Sequence, residues 1–144
     1  MRKSQKLFLL LAIVIMFSAL TGCSGNKKEV EEFIEQYVED VVNGKWDQVL
    51  QKSTGDQLSI YTQLVPSFEQ IGVNGKINLL KVKELEMNKK GTRAEAIVHL
   101  VKTTDILDYG TVIDEKTLLY KLKKIDGEWK VYQFNIIIDS PVVK

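Results

Sequence analysis

The chain has 144 residues, 44% hydrophobic and 27% charged, which are the proportions of one globular domain rather than of a disordered or collagen-like polymer. Its 20 Lys plus Arg are matched by 19 Asp plus Glu, so there is no basic excess to make nucleic acid a main partner. A single Cys and a single His exclude a disulfide framework and a zinc site built from Cys and His pairs. No metal and no cofactor is expected.

The first 23 residues read as an address. Arg2, Lys3 and Lys6 form a positive n-region, and Leu7 to Phe17 is an unbroken apolar run of 11 residues. Crossing the hydrocarbon core takes about 20 apolar residues. The run is too short for that and suits a signal-peptide h-region. Leu20-Thr21-Gly22-Cys23 follows. This tetrapeptide resembles the bacterial lipobox, which implies cleavage before Cys23 and lipidation of its thiol and new amino terminus. Several acyl chains, at about 0.8 kcal/mol per buried methylene, anchor stably where one is marginal. The bland alternative for Cys23 is a free thiol. Residues 1–22 carry three basic and no acidic residues, so the mature chain would hold 17 basic and 19 acidic residues, a net charge of −2. The expected organisation is a signal peptide over 1–22, a lipidated Cys and tether over 23–28, and one domain over 29–144. The expected location is the outer side of the cytoplasmic membrane.

Beyond the tether, Val30, Phe33, Ile34, Tyr37, Val38, Val41 and Val42 fall on one helical stripe, with Glu29, Glu31, Glu32, Glu35, Glu39 and Asp40 on the other side. Asn43-Gly44 supplies the stop. Trp46, Val49 and Leu50 predict a short second helix, roughly Lys45 to Lys52. A third is predicted over Gln57 to Gln70, with a kink or break at Pro66. From Lys76 the period changes to two. A strand over Lys76 to Met87 needs a bulge near Lys83-Glu84, because Leu80 and Val82 lie in one phase and Leu85 and Met87 in the other. Further strands are predicted over Arg93 to Thr103, Thr111 to Lys123 and Glu128 to Ile138, the last with a phase shift after Gln133. Thr104 to Gly110 reads as a longer loop, Asp126-Gly127 as a tight hairpin turn, and Asp139-Ser140-Pro141 as the end of the last strand. Helices first and strands after define an α+β fold, with N-terminal helices packed on a curved four-stranded antiparallel sheet. The first helix, about 21 Å long at ~1.5 Å per residue, fits across the concave side.

The helix Val30 to Val42 with Trp46 beyond it, and the strand Thr117 to Lys123 leading into Asp126-Gly127-Glu128-Trp129-Lys130-Val131, resemble the NTF2-like, or cystatin-like, cone found in many bacterial lipoproteins. The resemblance covers roughly residues 29 to 138 and implies that Trp129 packs under the sheet. It implies a fold and no single activity, because such cones serve enzymes, transport factors and interaction modules.

Enzymes of this fold work inside the cone with an Asp or His base and a Tyr or neutral Asp to polarise the substrate. His99, the only His, lies in the phase of Ile97 and Val101, opposite to Ala94, Ala96, Val98 and Leu100. It is either a base in the cone or a hydrogen-bonded strand residue. His99, Tyr120 and Tyr132 are the candidate ligand-binding residues. Arg93, the only Arg of the mature chain, reads as a solvated turn residue. Asp105, Asp108 and Asp114 cluster near the 104–110 segment but lack the spacing of a dedicated calcium loop. The acidic face of the first helix is a solvated face or a docking surface for a basic partner. No phosphate loop or nucleophile elbow is present in the sequence.

The expectation is therefore a non-catalytic, membrane-anchored envelope domain that binds another protein, held by Cys23. The alternative is small-molecule binding or enzymatic activity inside the cone. Related cones often dimerise through the open sheet face, which leaves a dimer open.

Overall fold

The computed structural model describes residues 26–72, 74–106 and 108–142. The segment 1–22 read above as a signal peptide, and Cys23, lie outside them. Helix α1 occupies 26–42, about 25 Å, so Asn26, Lys27 and Lys28 are helical and not part of a tether. Helix α2 is Trp46–Gln51 and α3 is Gly55–Ile71. The strands are β1 (Asn74–Met87), β2 (Arg93–Ile106), β3 (Gly110–Ile125) and β4 (Glu128–Val142), in sheet order β1-β2-β3-β4 with every pair antiparallel. The α+β architecture is the expected one. No described helix is long and apolar enough to cross a membrane.

The sheet is bent at its two edges. In β1 the register slips at Lys83, where the alternating phases demand it, and also at Asn78, which they do not signal. In β4 it slips at Tyr132 and at Ile137, on either side of Gln133. A bulge adds local twist and bends the strand. Four of them, all on edge strands, curl the sheet into a trough. The stripe of α1 fills that trough: Val30, Ile34, Tyr37 and Val38 are buried against Ala96, Val98, Leu118 and Leu122. Gly75 allows β1 to pass the end of α1, because a Cβ there would sit 2.7 Å from Val42 Cγ1 and 2.9 Å from Val42 O.

Three local expectations are corrected. Pro66 lies inside a single 17-residue α3 and does not split it. The helix is held before the proline by buried Gln57 and Val65 and after it by Phe68, which stacks on Trp46. The longer loop does not exist: β2 continues through Thr104, which pairs with Val112, and the connection shrinks to 107–109 with Asp108 at φ 70°. Pairing across two β-branched stretches outweighs the loop-like composition. Likewise β4 runs through Pro141, opposite Asp114. On an edge strand the missing N–H of a proline has no neighbour to bond. The Asp126-Gly127 turn is as expected, with both residues at positive φ, and Trp129 is buried with Lys124 Nζ 5.2 Å from its ring centroid.

The helices are joined by polar pins. Asp40 on α1 is fully buried, and Lys52 Nζ, just after α2, donates to its Oδ2 at 2.6 Å while Gln36 Nε2 donates to Oδ1 at 3.0 Å. Trp46 stacks on Phe68 at 5.1 Å and meets Tyr61 at 6.1 Å, fixing α2 to α3. The ion pair is asymmetric, since the Lys52 side chain is 27% exposed and that of Asp40 is not exposed at all. Lys52→Met should therefore cost about 3–5 kcal/mol by stranding a buried carboxylate. Asp40→Ala should cost only about 1–2 kcal/mol, because the ammonium can turn to water. Urea titration of the chain lacking residues 1–22 measures both, and equal costs would contradict the asymmetry.

Candidate functional site

The interior of the trough holds three tyrosines from three elements. Tyr37 lies on the buried stripe of α1. Tyr120 lies in the inner phase of β3, between Leu118 and Leu122. Tyr61 follows buried Gln57 by one turn of α3. Tyr120 meets Tyr37 edge-on at 5.9 Å and stacks on Phe134 at 5.8 Å. Ser53 Oγ donates to Val49 O at 2.6 Å, so the Tyr37 hydroxyl, 2.8 Å away, is the donor to Ser53. This stack occupies most of the trough.

What remains is a recess of about 120 Å³ at the C-terminal end of α1. Its apolar wall includes Val42, Leu118 and Ile136, and its polar groups are Tyr61, Tyr120, Lys102 and Lys116. Burial pushes the Tyr61 phenol up to about 12. Burial also raises Tyr120 and Tyr37, with the neighbouring phenols adding to it. Burial lowers Lys102, Lys116 lowers it further, and Asp114, its register partner across the strands, opposes both. The recess thus offers neutral hydroxyls and two cations inside an apolar wall. Such a set can hold the end of a small anion. It contains no carboxylate or imidazole base.

The candidate residues do not come together. Tyr120 lines the recess. His99 sits on the opposite, outer face of the sheet, because Ala96, Val98 and Leu100 take the inner one; its Nε2 is 2.7 Å from Glu115 Oε1. It is the hydrogen-bonded strand residue of the two readings. Tyr132 is a bulged residue whose ring lies 5.5 Å from Lys123 Nζ, away from the recess. Arg93 is an exposed residue at the start of β2. Asp105 accepts a hydrogen bond from Thr111 Oγ1 at 2.7 Å, while Asp108 is in the turn and Asp114 faces Lys102. Among the described residues no three acidic, His or Cys side chains gather as a metal site. The sequence reading missed Lys102 and Lys116. The signal was present, since Lys102 continues the phase of Val98 and Leu100, and Lys116 precedes Leu118 and Tyr120 in theirs.

No protein-family model matches the chain, and no curated protein matches it. Solved structures do. The intermembrane space region of the chloroplast protein ARC6 superposes with a TM-score of 0.64 at 17% identity, over 76% of this chain and 95% of that one. A type 2 hexachlorocyclohexane dehydrochlorinase, LinA, superposes with a TM-score of 0.58 at 8% identity, over 83% of this chain and 93% of that one. The fold is an NTF2-like α+β cone. At these identities the likeness is one of fold alone. In this cone the rings of Tyr37, Tyr120 and Phe134 pack together in the interior.

The raised phenols set an alkaline limit. A phenol whose folded pKa lies above its unfolded value leaves stability intact below pH 10.0, the ordinary value. Stability then falls as pH rises toward about 12, where Tyr61 ionises, and beyond. Circular dichroism and tyrosinate absorbance should show unfolding and ionisation starting together above about pH 10. Tyr120→Phe should move that unfolding to higher pH. An unchanged midpoint would mean that Tyr120 is not coupled to folding.

Proposed function

We propose that this chain is a lipid-anchored extracytoplasmic lipoprotein whose NTF2-like domain serves as a non-catalytic, protein-binding or accessory factor of the envelope. The observation that carries the reading is the filled interior. The Tyr37–Tyr120–Phe134 stack leaves about 120 Å³, whereas small-molecule sites usually measure about 300–1,000 Å³. The anchor is supported by the order of n-region, h-region and Leu20-Thr21-Gly22-Cys23. A protein-binding role is supported by exposed aliphatic side chains. Ile60, Leu64 and Ile71 lie along one stripe of α3, and Ile136, Ile137 and Ile138 lie on the edge strand β4.

One observation favours a second reading. Lys102 and Lys116 beside Tyr61 are suited to a small anion, so a ligand in the recess is the alternative, with enzymatic activity there as its extension.

Two experiments test the proposal. Cys23→Ala should abolish palmitate labelling and release the protein from the membrane fraction; retention of both would overturn the anchor. Native mass spectrometry of the protein extracted from its own membranes should retain a protein partner, lost in Leu64→Asp. A retained small-molecule mass beyond the anchor, lost in Lys102→Met, would replace this reading with the second.

A further inference from the structure

We propose that the recess bearing Lys27, Lys89 and Lys90 is where the domain rests on anionic phospholipid headgroups of the membrane that holds its anchor. The inference depends on the lipid-anchor reading above and adds an orientation to it.

The antiparallel meander sorts its turns by end. The β1–β2 turn at Asn88–Gly91 and the β3–β4 turn at Asp126-Gly127 lie at one end, and the 107–109 connection lies at the other. Helix α1 begins at the first of these ends. Asn26 Nδ2 is 3.8 Å from where a Cβ on Gly91 would sit, and Lys124 Nζ is 3.7 Å from Glu29 Oε1. Only Ser24 and Gly25 separate Asn26 from Cys23. Three residue steps of covalent chain span at most about 10 Å. An acylated Cys23 therefore holds this end, and no other, against the bilayer.

The end so held is cationic where it is least compensated. A recess of about 300 Å³ is lined by Asn26, Lys27, Met87, Asn88, Lys89 and Lys90, with no carboxylate in its wall. Neighbouring lysines are already paired: Lys28 with Glu32 at 3.7 Å, Lys124 with Glu29 at 3.7 Å, and Lys130 with Glu128 at 3.2 Å. Among the described residues Lys27, Lys89 and Lys90 have no such partner. The turn that presents two of them is fixed: Asn88 Oδ1 accepts the N–H groups of Thr92 and Arg93 at 2.8 and 2.9 Å, and Gly91 takes φ 65°. At the far end Asp105, Asp108, Asp114 and Glu115 flank the connection, with Lys102 and Lys116 among them on the same strands. A mature chain with a net charge of −2 thus presents three unpaired lysines at its anchored end, where Glu29 and Glu128 are held in ion pairs and Asp126 occupies the neighbouring turn. Each lysine within a Debye length of an anionic surface favours contact by about fivefold.

The test uses the lipidated chain reconstituted in phosphatidylcholine vesicles with and without phosphatidylglycerol. Exposed amines are labelled with an impermeant acetylating reagent and read by mass spectrometry. Lys27, Lys89 and Lys90 should label about fivefold or more slowly when phosphatidylglycerol is present, and high salt should remove the protection. Lys76 and Lys81, which are exposed elsewhere on the sheet, should label at one rate in both vesicles. Lys89→Gln with Lys90→Gln should reduce the protection of Lys27. Equal labelling of Lys89 and Lys90 in the two vesicles would overturn the proposal, as would equal protection of Lys76 and Lys81. Failure of the anchor reading looks different: the extracted chain would then lack acyl mass and would not enter phosphatidylcholine vesicles.

Discussion

The structure depends on one fit, the apolar stripe of α1 in the trough of the sheet. A flat four-stranded sheet would touch a helix along a narrow line. The bulges at Asn78, Lys83, Tyr132 and Ile137 bend both edges around it, so that Val30, Ile34, Tyr37 and Val38 are enclosed from more than one side. The same curvature decides the side-chain phases of β1 and β4, because each extra residue returns the following side chains to the inner face. It also decides that the end of α1 comes close enough to β1 to require a glycine at 75.

Enclosing a helix in this way puts polar groups inside, and those on α1 find partners, whereas Gln57 Nε2, Thr104 Oγ1 and Trp129 Nε1 do not. Asp40 reaches Lys52 and Gln36, and Tyr37 reaches Ser53. The bonds to Lys52 and Ser53 run from α1 to the segment after α2, and Ser53 itself bridges to Val131 on β4. The short α2 buries only Val49, too little to hold it by apolar contact alone. It is held by its polar ends and by Trp46 between Tyr61 and Phe68. Tyrosine is the interior residue that suits both demands. Its ring fills volume, its hydroxyl closes a hydrogen bond, and at neutral pH it carries no charge to desolvate. The plugged cone is a consequence of how α1 is secured.

Periodicity made most of this legible. The stripe of α1 needs no tertiary information, and the phase break between Val82 and Leu85 locates the Lys83 bulge from sequence alone. Asp126-Gly127 specifies its turn through backbone geometry that few other pairs adopt. The failures share a cause. Pro66, Pro141 and the 104–110 segment were read from local composition, whereas their conformation is set by what lies alongside: the buried side of α3, the absence of a neighbour beyond β4, and the pairing of Thr104 with Val112. The site was less legible than the fold. Lysine on a strand reads as solvent-facing, yet Lys102 and Lys116 follow the inner phase to the mouth of the cone, where their ammonium groups can still reach toward water. His99 draws attention as the only histidine, but its phase, opposite to four residues that are buried, assigns it to the outer face.

The position of the recess relative to α1 bears on the choice between the two functional readings. Its wall includes Val42, at the far end of the helix from Asn26. With the anchor at Cys23, as proposed, about 25 Å of helix separates the lipid from the recess. A hydrophobic molecule moving out of the bilayer would have to cross that distance through water to enter a space of about 120 Å³. Under the proposed anchoring, Lys102 and Lys116 therefore sit at the end of the domain away from the lipid, beside Val42.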